Sequence, residues 1–180
     1  LFELLDIIQK WDRKTDIDSQ GAGIYGVLYY QLVRNYRGEI QKNNKTISKE
    51  ILLSALSDTK AYIINNFGST KITLGDFQKL VRGDKELPIW GLPDVITAMS
   101  SRPYKDGKHK VTQGESYIGL VRFNENGPIL ESIISFGNSD NPESDHYTDQ
   151  MEKYSKFQTK KMTFDKNIIY SEAKEIYNPN

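Results

Sequence analysis

Residues 115–137 read ESYIGLVRF, then NENG, then PILESIISFG, two strand-like runs around a tight polar turn. The first run is apolar on both faces, with Tyr117, Val121 and Phe123 on one and Ile118 and Leu120 on the other. A strand of that kind belongs in the middle of a sheet covered on both sides. A lone hairpin is marginal in water, so this sheet needs more strands than the chain visibly supplies.

Upstream of the hairpin the periods are helical. Leu1, Leu4, Leu5, Ile8 and Trp11 recur every three or four residues and predict a helix over 2–11. Ser19 or Asp18 caps a second helix over about 20–37, in which Gly21, Gly23 and Gly26 imply close packing against another element. GEIQKNNK reads as a polar connection, and Ser48 caps a helix to Asn66 with Gly68 at its end. TLGDFQKLVRG fits either a short helix begun by Thr73 or an irregular strand. GLPDVITAMSS reads as one helical segment with Pro93 in its first turn. After the hairpin, Tyr147, Met151, Tyr154 and Phe157 form a helical stripe, KKMTF a short strand, and Asp165 opens a final helix of about ten residues. Helices come first and strands last, an α+β arrangement.

Composition narrows the function. A length of 180 residues is one domain, or one large domain with part of another. Lys+Arg and Asp+Glu are both 24 with no long basic block, which argues against a nucleic-acid partner. The absence of cysteine removes disulfides, thiolate chemistry and the common zinc sites. No apolar run approaches the ~20 residues that cross a bilayer, so no membrane partner is expected. No signal-peptide pattern is present, and Leu1 falls inside a helical pattern without an initiating Met, so the chain reads as part of something longer.

SDNPESDHYTDQMEKY, residues 139–154, crowds Ser, Asp and His as an active site would. Ser144 and His146 are two apart, however, and side chains at that spacing diverge on a helix, whereas nucleophile and base must touch. Ser139, Asp140 and Asn141 are turn formers, and Ser144 or Asp145 can cap the helix that follows. The residues therefore favour a strand-to-helix corner over catalysis. DNPESD lacks the spacing and central Gly of a helix–loop–helix calcium loop. His109, in KDGKHK, reads as part of a solvated turn. Arg82-Gly83-Asp84 is a weak adhesion signal that a Gly-Asp turn explains equally well, and the Gly21, Gly23 and Gly26 set follows no strand, which rejects a dinucleotide loop.

The stretch from Gly114 to Lys156 resembles the C-terminal part of the penicillin acylase family, which includes acyl-homoserine lactone and aculeacin acylases. The elements that carry the likeness are SYIGLVRF, the turn Gly137-Asn138-Ser139, and SDHYTDQ. In that last motif Ser144, His146, Tyr147, Asp149 and Gln150 match the family and Asp145 replaces a proline. WDRKTDIDSQGAGIYGVLYYQL resembles the family's Trp-Asp-Gly helix junction with Arg13 in place of Gly, and LGDFQKLVRGDKELPIWGLPDVITA a second segment with Leu74 in place of Trp. The likeness is strong over 112–158, moderate over 11–35 and 75–98, and absent over most of 38–72.

The resemblance implies an N-terminal-nucleophile hydrolase with a four-layer αββα core. Such a precursor cuts itself to expose a Ser whose hydroxyl attacks an amide while its own α-amine acts as base. It also implies that this chain, as residues 1–111 (mainly helical) and 112–180 (hairpin with covering helices), is the C-terminal portion of a larger acylase β-subunit. No catalytic, cofactor-binding or metal-binding residue carries over to it. Its expected partners are the remainder of the precursor and a small acyl-amide substrate, in the periplasm or outside the cell, with a structural calcium possible in the whole enzyme. The isolated chain is expected to be inactive and to dimerise or exchange strands through its hairpin. The alternative is an autonomous, non-catalytic binding or scaffold domain derived from an acylase tail.

Overall fold

The computed structural model describes residues 1–176; residues 177–180, the end of the expected segment 112–180, lie outside the described residues. The chain divides into two compact units, Leu1–Glu115 and Ser116–Asn180.

In the first unit α1 (Phe2–Lys10) stops at Trp11, whose backbone turns extended. The N-cap of α2 (Gln20–Asn35) is Ser19, whose hydroxyl accepts the Ala22 N–H at 3.1 Å. The small-residue face of α2 has a purpose, because a Cβ on Gly23 would lie 2.6 Å from the Thr73 carbonyl carbon. The helix therefore seats directly on the start of α5 (Leu74–Phe77), where Leu74 N–H donates to Ser19 O at 3.0 Å and Gly75 N–H to Ile17 O at 2.7 Å. The helix stops short of residue 37, at Tyr36 (φ −114°, ψ 1°), and α3 (Arg37–Lys42) fills part of the expected polar connection. Ser48 caps α4 (Lys49–Phe67), and Gly68 ends it at φ 72°.

Both readings of TLGDFQKLVRG are realised, one after the other. Thr73 and Asp76 form a reciprocal capping box that starts the single turn of α5. At Gln78 the backbone turns extended and enters β1 (Gln78–Arg82). Gly83 and Asp84 then form a two-residue hairpin loop, with Gly83 at φ 57°, into β2 (Lys85–Pro88). Arg82-Gly83-Asp84 is thus a hairpin corner. β3 (Met99–Pro103) and β4 (His109–Gly114) complete a sheet ordered β2-β1-β4-β3, in which β1 and β4 run parallel. The mainly helical expectation for residues 1–111 accordingly does not extend past Phe77.

GLPDVITAMSS is not a helix. Gly91 sits at φ 87° and Asp94 at φ 61°, Leu92 bridges Ala98, and Met99 N–H returns to Leu92 O at 3.1 Å. The consecutive run Ile89, Trp90, Gly91 and Leu92 is buried, which an extended segment threaded through a core allows and an amphipathic helix does not. Leu92 joins Leu4, Ala22, Ile24, Val27, Ile63, Ile72, Leu74 and Phe77 in one core cluster, with each large side chain contributing roughly 1.5–3 kcal/mol by burial.

In the second unit β5 (Tyr117–Asn124) and β6 (Gly127–Ile134) pair in full register across the predicted turn, and β7 (Lys160–Met162) pairs with β6. The doubly apolar strand is therefore not in the middle of a sheet within this chain. The order is β5-β6-β7, and β5 is an edge with Phe123 79%, Tyr117 57% and Leu120 and Val121 each 54% exposed. α6 (Met151–Ser155) is shorter than the predicted stripe, with Tyr147 held in the preceding turns and Phe157 at φ 54°. Met151 and Tyr154 are its buried residues. Asp165 caps α7 (Lys166–Glu172) through Oδ1, as predicted.

Candidate functional site

Among the described residues two places gather groups capable of chemistry, and each lies within one unit. The first is the predicted corner. Gly137 leaves β6 where a Cβ would lie 2.6 Å from Asp149 Oδ1 and closer still to the His146 carbonyl oxygen. Ser139 N–H donates to that carbonyl at 3.2 Å, and the buried Gln150 donates its N–H to Phe136 O at 2.8 Å. Gln150 Oε1 also accepts the Ile134 N–H at 3.4 Å, so the start of α6 is fastened to the end of β6. Asn138 and Asp145 are exposed. Ser144 is not a helix cap, because the N-cap of α6 is Gln150. The Ser144 hydroxyl instead accepts the His146 backbone N–H at 3.2 Å, a local turn bond, while Tyr147 N–H donates to Ser144 O at 3.0 Å.

His146 Nδ1 lies 3.0 Å from Asp149 Oδ2, an exposed pair on the outside of the corner. Ser144 bonds the backbone of His146 and not its ring, so Ser144, His146 and Asp149 do not form a nucleophile–base–orienter chain. The cluster that sequence brings together is brought together in space as a brace.

The second place was not anticipated. His109 is buried on β4, not in a solvated turn. Its ring packs 4.5 Å from that of Phe77 and 4.6 Å from that of Tyr30. His109 Nδ1 lies 3.3 Å from Ser101 Oγ, which is 3.1 Å from the Tyr30 hydroxyl, and the same hydroxyl accepts the Ser101 N–H at 2.8 Å. Burial, with a smaller contribution from the Arg34 guanidinium, pushes the His109 pKa down to about 4. A serine–histidine contact invites comparison with a nucleophile and its base. A useful base titrates near the working pH, and among the described residues no carboxylate hydrogen-bonds this ring; Ser101 itself is buried. The arrangement satisfies buried polar groups. The alternation Lys108-His109-Lys110, half-buried, buried and exposed in turn, was the signal that could have found it.

Elsewhere Glu86 receives Lys108 Nζ at 2.8 Å and Lys105 Nζ at 3.1 Å, and these hydrogen bonds hold its carboxyl below the usual range. Among the described residues no three His, Asp or Glu side chains gather as metal ligands, and no helix is long and apolar enough to cross a membrane.

The penicillin amidase family profile matches residues 3–170. The chain belongs to the penicillin amidase family. The match runs through residues 38–72, where no resemblance is visible by eye. Acyl-homoserine lactone acylase PvdQ of Pseudomonas savastanoi pv. phaseolicola is 27% identical over 190 residues, covering 94% of this chain and 24% of that protein. The protein of the same name in Pseudomonas syringae pv. syringae is 39% identical over 98 residues, covering 53% of this chain and 13% of its own. That of Pseudomonas fluorescens strain Pf0-1 is 34% identical over 113 residues, covering 61% and 14%. The chain thus spans about a quarter or less of the curated relatives it matches. Membership explains one oddity: Arg13, where the family resemblance places Gly, sits at φ 67°, a left-handed conformation that glycine adopts without strain.

Proposed function

We propose that this chain is the C-terminal structural portion of a penicillin-acylase-type amidase, which hydrolyses acyl-amide bonds of the N-acyl-homoserine lactone, β-lactam side-chain or lipopeptide kind. The family match across residues 3–170 carries this reading. In it the reacting hydroxyl is an N-terminal Ser contributed by sequence upstream, and the remainder of the precursor is the partner. The exposed apolar side chains of β5 support that partner, because surfaces of this kind are usually covered by protein. Residues 137–150 serve as the brace between β6 and α6, and residues 1–111 with 112–180 buttress the layered core. The whole enzyme works in the periplasm or outside the cell.

The test is hydrolysis of an N-acyl-homoserine lactone followed by mass spectrometry. The full-length protein should release the fatty acid, and the separately produced 180-residue chain should release none. Turnover by the separate chain would overturn the assignment of the chemistry to upstream sequence.

A further inference from the structure

The first unit contains a cavity of about 180 Å³ whose walls include Val27, Tyr30, Arg34, Tyr62, Phe77 and His109. Val27, Tyr30 and Arg34 stand three, four and seven apart on α2, so one stripe of that helix forms a wall. Nothing in the amidase reading uses this space.

Its size sets the ligand. A cavity of about 150 Å³ is enough for one benzene ring, whereas drug-sized ligands take roughly 300 Å³ or more. A single ring fits; a long acyl chain does not. The lining sets the chemistry. Tyr30, Phe77 and His109 form a connected aromatic cluster, with Tyr30 and Phe77 6.1 Å apart and His109 within 4.6 Å of both. Arg34 is exposed and makes no hydrogen bond or ion pair among the described residues. It still acts electrostatically on both His109 and Tyr62, which places its charge beside the cavity. Among the described residues no carboxylate lines the space to neutralise it. His109 bonds Ser101 through Nδ1 and leaves Nε2 without a hydrogen-bond partner among the described residues.

We propose that this cavity is a non-catalytic binding site for a small aromatic monocarboxylate, with its ring against Phe77, Tyr30 and His109 and its carboxylate on the Arg34 guanidinium. A planar guanidinium receives a carboxylate through paired hydrogen bonds, which a neutral ligand cannot offer. The bound charge also offsets the influence of Arg34 on His109, so occupancy moves the titration midpoint of His109 upward.

The experiment is a fluorine NMR titration of the full-length protein with 4-fluorobenzoate, against 4-fluorobenzamide as the uncharged control. A ligand of about ten heavy atoms should bind with a Kd on the order of 1 mM. The benzamide should bind about tenfold more weakly, and Arg34→Gln should weaken the benzoate by about the same factor without changing Tm. In the wild-type protein, saturating benzoate should raise the His109 midpoint followed by ring proton shifts. Equal binding of the two probes, an unchanged Kd in Arg34→Gln, or no saturation by about 20 mM would overturn the proposal. Arg34→Gln should leave amide hydrolysis intact, so failure here is separable from failure of the amidase reading.

Discussion

Nδ1 of His109 lies 3.3 Å from Oγ of Ser101, at the bottom of a cluster closed by the rings of Tyr30 and Phe77. This links two strands to two helices through one neutral imidazole, and it makes the fold sensitive to acid.

The folded pKa of His109 is lowered to about 4 from 6.5, mainly by burial and then by Arg34. The unfolded chain therefore binds a proton between those values while the folded chain does not. Stability is complete above about pH 6.5 and falls by up to about 3 kcal/mol as the pH drops to about 4. Urea unfolding between pH 7 and pH 4 should show this limb, and His109→Phe should flatten it at a cost of about 1 kcal/mol at pH 7. An unchanged limb in the variant would show that other groups cause it.

Gly137 is a packing requirement. A Cβ there meets the His146 carbonyl and Asp149 Oδ1, so Gly137→Ala should destabilise by about 2 kcal/mol, measured by denaturant midpoint. A neutral result would mean the corner can open without loss.

Ser144 and Asp145 should matter little. Ser144 makes a local turn bond, Asp145 is exposed, and neither caps α6. The double change to Ala should shift stability by less than about 0.5 kcal/mol. A loss near 2 kcal/mol would restore the capping role that the sequence suggested.

Arg13 is held at φ 67° while its guanidinium carbon sits 5.9 Å from the centre of the Trp11 ring. Relieving the left-handed backbone gains about 1 kcal/mol, and losing an exposed cation–π contact costs about 0.5 kcal/mol. Arg13→Gly should therefore raise stability by about 0.5 kcal/mol, seen as a higher Tm. A lower Tm would show that the Trp11 contact outweighs the strain.

What the sequence made legible was local. Ser19, Ser48, Thr73 and Asp165 all cap where their side chains say they should, because capping needs only three or four neighbouring residues. The 117–134 hairpin was equally plain, with its turn and both strands contiguous. The four-stranded sheet was not, because its parallel pairing joins Gln78 to His109 across an interval that no local pattern spans. GLPDVITAMSS misled because its apolar spacing mimics a helix, whereas Gly91 and Asp94 turn the backbone left-handed. Of the corner, the residue set was visible but not the hydrogen bonds, since Gly137 acts through close backbone approach and Gln150 through bonds to the backbone of Phe136 and Ile134. The His109 cluster stayed hidden between two lysines whose charge suggested solvent.

The central claim is that these residues brace an amidase without supplying its reactive group. Labelling the active full-length protein with a fluorophosphonate, which captures an activated serine hydroxyl, and mapping the modified peptide tests it most directly. The modified serine should fall outside residues 1–180. Modification of Ser101, Ser144 or any other serine within this chain would contradict it.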